Sequence, residues 1–453
     1  MLFWPLENLK RSNATWFFSS QASLGKYVTP KTQSINQKFS IYRKYLFYRK
    51  FRKFIKFGEV MNTQASQYYS RRPQSRNVER YQAALDRCVQ RLGSTMNQIG
   101  LRNPKIGLPD LTWAYCEPGD WVQGFHSGQL WLAYQMTGDV RFREAARARR
   151  PDFRYVLEHR AMRDHDLGFQ FSLHSVADWL MTADWQARQM ALEAANALVG
   201  RYRAEGGYIQ AWSARETGDR DRAVFVNGRM IADTMQNLAL LYWAHRETAI
   251  EDFRTVAENH AETTRQHLVR SDGSSFHTFI FDPSTGEPIR GETHQGRADD
   301  SCWSRGQAWL LHGFAQCYVA TGNRAHLETA EHIAGRTEEL LAGASVPPWD
   351  FSAADDQPTF IDSSAGAVMA AGLQILALVT EPESAERWRA LGDHLLDGLL
   401  EQCDLTNHPT AQGLLSGGAA HVNVGKADTM LPYGDYYFME ALMRAQGHSR
   451  FFW

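Results

Sequence analysis

Leu130-Trp131-Leu132-Ala133-Tyr134-Gln135-Met136-Thr137-Gly138-Asp139-Val140-Arg141-Phe142 closes one apolar segment, breaks at a small residue and an acid, and opens another. Leu130, Trp131 and Tyr134 recur at the three-and-four spacing of a helix, as do Leu238, Leu241 and Tyr242 farther on. Thr182-Ala183-Asp184 and Thr321-Gly322-Asn323 repeat the punctuation, and Glu381-Pro382-Glu383 and the stretch after Thr248 act similarly. The small residue stops one helix and the Asx residue caps the next. Counting outward from these breaks predicts about twelve helices, near 76–98, 121–137, 140–159, 167–182, 184–204, 229–246, 249–268, 302–321, 323–342, 362–380, 383–402 and 433–446. The connections after each second helix, 205–228, 269–301, 343–361 and 403–432, are long and rich in Gly, Trp, His and Asp. Long loops on one side of a regular scaffold carry function. The expected fold is therefore all-α, an (α/α)6 barrel with its site at one mouth; an open helical-repeat binding scaffold is the rival.

The chain has 453 residues, 43% of them hydrophobic, enough to bury a large core. Its 14 Trp exceed what a core needs. Partly buried indoles form platforms for apolar sugar faces, although packing is the plainer reading of any single one. Cys88, Cys116, Cys302, Cys317 and Cys403 are odd in number and have no C-x-x-C spacing. That argues against a disulfide framework or a zinc cluster and fits free thiols in a reducing cytoplasm. The net charge of −1 hides an asymmetry: residues 1–60 hold 12 basic and 2 acidic side chains, the remainder 37 and 48. The acidic body argues against a nucleic-acid partner. No charge-free apolar stretch is long enough to span a membrane. Residues 1–60 are basic and aromatic, as in Tyr42-Arg43-Lys44-Tyr45-Leu46-Phe47-Tyr48, and lack helical punctuation. A transit segment, a basic arm and an over-extended start ahead of Met61 all fit that composition, the last most economically. Residues 61–453 then form one barrel domain.

Four stretches bring acid, imidazole and indole groups together: Gly119-Asp120-Trp121-Val122-Gln123-Gly124-Phe125, Asp164-His165-Asp166-Leu167-Gly168-Phe169, Arg229-Met230-Ile231-Ala232-Asp233, and Thr293-His294-Gln295-Gly296 with Asp299-Asp300-Ser301-Cys302-Trp303-Ser304-Arg305. Asp166 stands just before an apolar helix, where capping is its plainest role. Asp233 is expected inside the first turns of an apolar helix, where a carboxylate is costly unless paired or protonated. A buried salt bridge and an active carboxyl fit it equally. His165, His277 and His294 lack the i, i+4 pairing of a helical zinc site, so acid–base chemistry ranks above metal chemistry. No phosphate-cradling Gly loop, dinucleotide fingerprint or G-x-S-x-G elbow occurs.

In order along the chain come D-W-x-x-G-F at 120–125, H-D-L-G-F at 165–169, I-Q-A-W at 209–212, R-M-I-A-D at 229–233, V-R-S-D-G-S at 269–274, T-H-Q-G at 293–296, S-x-W-x-R-G-Q-A-W at 301–309, P-P-W-D-F at 347–351, D-S-S-A at 362–365 and G-D-Y-Y at 434–437. This ordered set, spanning roughly 110–445, resembles glycoside hydrolase family 88, the unsaturated glucuronyl hydrolases. The resemblance implies an (α/α)6 barrel with no metal and no organic cofactor. It makes Asp233 the catalytic acid/base and Asp166 the second essential carboxylate. It lines the sugar pocket with His165, Trp121, Trp212, His277, Gln295, Arg305 and Trp309. His126 departs from the aromatic that relatives often carry there, and residues 1–60 match nothing in the family.

The implied substrate is an oligosaccharide ending in a 4,5-unsaturated uronic acid, whose double bond is an enol ether. One protonated carboxyl, later a base for water, suffices to hydrate it. A like charge on Asp166 is expected to raise the pKa of buried Asp233. Arg305 is expected to offer a fork to the substrate carboxylate, and Trp121, Trp212 and Trp309 to stack on the sugar. Ser416 and Lys426 lie where relatives that handle sulfated glycosaminoglycan fragments carry small polar and basic residues, which leans toward that substrate; a solvated Lys is the plainer reading. An unsaturated rhamnogalacturonyl hydrolase on the same barrel, a conventional inverting glycosidase and a non-catalytic sugar-binding scaffold are the alternatives.

Overall fold

Helix α1 (Val78–Ile99) leads through the antiparallel hairpin of β1 (Asn103–Gly107) and β2 (Trp113–Cys116) into α2 (Gln123–Thr137) in a computed structural model that describes residues 77–213, 220–353 and 359–453. Then follow α3 (Val140–Arg147), α4 (Arg150–Glu158), α5 (Leu167–Phe171), α6 (Ala177–Thr182) and α7 (Trp185–Val199). A short hairpin, β3 (Tyr202–Arg203) and β4 (Tyr208–Ile209), precedes α8 (Arg220–Val226), β5 (Arg229–Ile231), α9 (Thr234–Thr248) and α10 (Glu251–His267). The chain continues with β6 (Thr278–Phe281), β7 (Pro288–Glu292), α11 (Ser304–Thr321), α12 (Arg324–Leu341), α13 (Ser363–Val379), α14 (Pro382–Gln402) and α15 (Pro432–Ala445). The reading of residues 1–60 lies outside the described residues.

Six inner helical rods form a closed ring: α2 packs on α5–α6, α5 on α9, α9 on α11, α11 on α13, α13 on α15, and α15 returns to α2. The outer layer is α1, α3–α4, α7, α10, α12 and α14. This is the (α/α)6 barrel. Inner helices are buried all round, without a break over residues 123–133 of α2 and 363–376 of α13, so they carry no polar stripe. Outer helices bury one face only; in α10 the residues turned inward include Phe253, Val256, Ala257 and Ala261.

At one end, inner helices pass to outer ones through tight turns. Gly138 (φ 69°) and Gly322 (φ 70°) are left-handed, and so are Ala183 and Ala249 (both φ 58°), where a Cβ makes that conformation unfavourable by about 1–2 kcal/mol. Thr137 and Thr321 each donate Oγ1 to the carbonyl four residues back and accept the N–H two residues ahead. Asp139, Asp184 and Asn323 then cap Arg141 N, Ala187 N and Ala325 N. The repeated punctuation is thus a hydrogen-bonded turn.

Several boundaries differ from expectation. The helix over 140–159 is parted between α3 and α4, that over 167–182 contains a π turn at Ser172–Val176, and that over 184–204 stops at Val199. Residues 229–231 are a strand, not a first helical turn, because β5 pairs antiparallel with β6, and β6 with β7. Short apolar runs such as Arg229-Met230-Ile231 are ambiguous by periodicity alone. All five cysteines are free thiols. Among the described residues no helix is long and apolar enough to cross a membrane.

Candidate active site

Because long connections precede the inner helices, their N-termini gather at the mouth. Strand β5 delivers Asp233 to the N-cap of α9, where it makes no side-chain capping bond. The register of β5 on β6 sets His277 beside it, with Ala232 N donating to His277 O at 3.0 Å. His277 Nδ1 accepts from both His294 N (3.1 Å) and Gln295 N (3.2 Å). A neutral His277 ring therefore carries its proton on Nε2, which lies 3.6 Å from Asp233 Oδ2. That carboxylate oxygen is buried and has no hydrogen-bond partner.

Asp166 holds the equivalent N-cap of α5, also without a capping bond. Phe169 N donates instead to Asn237 Oδ1 (2.7 Å), and Asn237 Nδ2 donates to Asp233 O (3.2 Å). The two helices approach so closely here that a Cβ on Gly168 would lie 2.3 Å from the Asn237 Cα. His165 Nε2 sits 3.4 Å from Asp166 Oδ1, while its Nδ1 accepts Trp212 N at 3.0 Å. Trp212, whose carbonyl accepts from Arg201, is held at a left-handed φ of 43°, a strained position of the kind found at functional sites.

The electrostatics reverse the expected assignment. Burial pushes the Asp166 carboxyl well above its usual range, reinforced by Asp164, Asp233 and Asp120. Burial also opposes ionisation of Asp233, but the His277 ring facing it, with His165 and Arg305 nearby, outweighs burial and holds its pKa low. Burial lowers His277, and brings His165 and His294 each down to about 4, so these rings are neutral near pH 7.

The remaining predicted residues divide. Trp121 is half-buried against Tyr433 (ring centroids 4.8 Å apart). Trp212 is half-buried with Phe225 (5.2 Å) and His294 (5.1 Å) about it. Gln295 Nε2 donates to Ala420 O at 2.8 Å, tying two mouth loops together. Arg305 has no free fork: Nη1 serves Asp362 Oδ2 (2.5 Å) and Ala419 O, and Nη2 serves Ala420 O, so it clamps the late loop. Trp309 is 0% exposed, packed on Phe169 and Tyr437, and cannot stack on a sugar. Ser416 donates its hydroxyl to Cys403 O, whereas Lys426 is exposed. Sequence reasoning missed Phe225, Tyr433 and Asn237; a fully buried amide one turn after Asp233 in an apolar helix was the available signal for the last.

Among the described residues, Asp164, His165 and Asp166 form the one group whose donor atoms all lie within 4.8 Å of one another. Asp164 Oδ1 already accepts Asp166 N (3.0 Å), and the Trp212 N–H on His165 Nδ1 leaves the ring proton on the nitrogen facing Asp166. Those occupied positions make the trio a poor cation cage.

A barrel with two unlike carboxyls at the mouth, ringed by indole and imidazole, is a carbohydrate-hydrolase arrangement. The Glycosyl Hydrolase Family 88 model matches residues 97–334, and the chain belongs to that family. It is 39% identical over 366 residues to the unsaturated glucuronyl hydrolase of Bacillus sp. (strain GL1), a match covering 79% of this chain and 94% of that one. It is 33% identical over 372 residues to the unsaturated chondroitin disaccharide hydrolase of Streptococcus pyogenes serotype M1, covering 80% and 90%. The crystal structure of unsaturated glucuronyl hydrolase from Bacillus sp. GL1, described as responsible for the degradation of glycosaminoglycan, superposes with a TM-score of 0.75 at 37% identity, covering 80% of this chain and 96% of that one.

Proposed function

We propose that this enzyme releases a 4,5-unsaturated uronic acid from lyase-generated oligosaccharides by hydrating the enol ether, with Asp233 as acid and then base and Asp166 as its partner. The buried, unpartnered Oδ2 of Asp233, 3.6 Å from the protonated Nε2 of His277, carries this reading. Asp233 starts ionised; the entering uronate adds a like charge and expels water, which raises its proton affinity so that it binds a proton from solvent. Its proton goes to C4, an oxocarbenium-like centre forms at C5, and Asp233 takes a proton from the water that adds there. The hemiketal opens by breaking the C5–O ring bond, leaving a ketone at C5 and a hemiacetal at C1 that sheds the remaining saccharide as its alcohol. His165, His277 and Gln295 order the site, and Trp121 and Trp212 are half-buried indoles available to the sugar. Arg305 and Trp309 act behind the pocket wall.

Glycosaminoglycan fragments are the favoured substrates, supported by the chondroitin disaccharide relative and by exposed Lys426 in the late loop. Five free thiols favour a reducing, cytoplasmic setting. The catalytic domain is taken as residues 61–453, with 1–60 dispensable. The test is an ultraviolet assay on unsaturated disaccharides from chondroitin, hyaluronan, gellan and rhamnogalacturonan. The enol-ether absorbance should fall, fastest for chondroitin or hyaluronan products, and a saturated glucuronide should be inert. Comparable turnover of the saturated compound overturns the hydration mechanism.

A further inference from the structure

An N-cap carboxylate ordinarily accepts the N–H of the second or third helical residue. For α5 the third residue is Phe169, and its N–H is already taken, 2.7 Å from Asn237 Oδ1 on the neighbouring inner helix. Asn237 is 0% exposed, its Nδ2 donates to Asp233 O, and Gly168 leaves the space that lets it approach. We propose that Asn237 is a positioning residue that caps α5 in place of Asp166 and so leaves the Asp166 carboxyl to the reaction, while tying it to the start of the helix that carries Asp233. The inference rests on the function proposed above. Without this borrowed cap, Asp166 would turn onto Phe169 N–H, a contact that stabilises the carboxylate.

The charged and titratable groups around Asp166 are Asp164 and His165 of its own segment, Asp120 ahead of α2, Arg201 after α7 and Asp233 of α9. All remain when Asn237 is replaced, and loss of the Asn237 amide by itself would raise the Asp166 carboxyl, so a downward shift reports the freed Phe169 N–H. Asn237→Ala should lower kcat about 10-fold or more with KM little changed, and move the basic limb of the kcat/KM profile to lower pH. Asn237→Asp keeps an acceptor for Phe169 N–H but puts an acid beside Asp166, so the limb should not move down. In Asn237→Ala/Asp166→Asn the shift should vanish. Infrared titration of the carboxyls in substrate-free protein reads the same shift without turnover. A wild-type enzyme that consumes no unsaturated substrate sinks the function, not this inference. An Asp166 titration that stays put in Asn237→Ala, or falls in Asn237→Asp, overturns the inference whatever the activity.

Discussion

At the turn end of the barrel Asp139, Asp184 and Asn323 stand at the N-caps of α3, α7 and α12, and each accepts a backbone N–H. At the mouth Asp166 and Asp233 occupy the same position of α5 and α9, and neither accepts one. Asp362 does both jobs, capping Ser364 N and Ala365 N through one oxygen and pairing with Arg305 through the other. An Asx residue at the N-cap is shared; the turn-end caps are extended (ψ 112° to 114°) while Asp166 and Asp233 are not (ψ 7° and −28°), and at α5 what also differs is who satisfies the helix. Where the side chain does so, it is spent on stability, and where the neighbouring structure does so, the carboxyl is available for chemistry.

The strongest way to break that contrast is at Asp233. Asp233→Asn should reduce kcat/KM by about 10²–10⁴-fold while the melting temperature stays within a few degrees; activity retained within tenfold would erase the distinction between the two ends. Arg305→Ala probes the mixed case, because it strands the Asp362 carboxylate in a site where both side chains are at most 1% exposed. Urea unfolding should show a loss of about 3–5 kcal/mol, and a loss below about 1 kcal/mol would mean the clamp is idle.

The mouth pair itself can be separated by pH. Asp166 has a raised folded pKa, so its ionisation opposes folding; the penalty is absent below its ordinary value of about 3.9 and grows as pH rises above it. Asp166→Asn should therefore melt higher than the native enzyme at neutral pH, with the gain gone near about pH 3. Asp233 has a lowered folded pKa and contributes stability above about 3.9 that is lost as pH falls through the folded value. Asp233→Asn should melt slightly lower at neutral pH and converge with the native enzyme in acid. Shifts of the same sign in both variants would contradict the assignment. The smallest effect belongs to the turn end, where Asn323→Ala should remove about 1 kcal/mol of stability and leave kcat/KM unchanged.

The turn end was readable because its hydrogen bonds are local: Thr137, Gly138 and Asp139 name the stop, the left-handed residue and the next cap within three positions. The mouth was readable as a set of residues but not as an electrostatic arrangement. Asp233 stands at a helix start, not within its first turns, because β5 pairs with distant β6, and that same pairing brings in His277, which holds its pKa down. Arg305 is drawn away from the pocket by an acid 57 residues later, and Trp309 is enclosed by Phe169 and Tyr437 from two other helices. Such partners are set by packing, and no spacing in the chain announces them.

Closure of the ring has a consequence for how the protein is made. The seam between α2 and α15 includes Gln129 Nε2 donating to Pro432 O across 303 residues, and Arg87 of α1 binds Asp404 across 317. A ribosome adding about 5–20 residues per second finishes α2 roughly 15–60 s before the helix that covers it emerges. For that interval the nascent chain carries an apolar flank, including Phe125, whose eventual cover by Tyr433, Tyr436 and Tyr437 is not yet synthesised. Any stop codon ahead of Pro432 makes that exposure permanent, so premature termination near the 3′ end of the message yields a sticky product instead of a shortened enzyme.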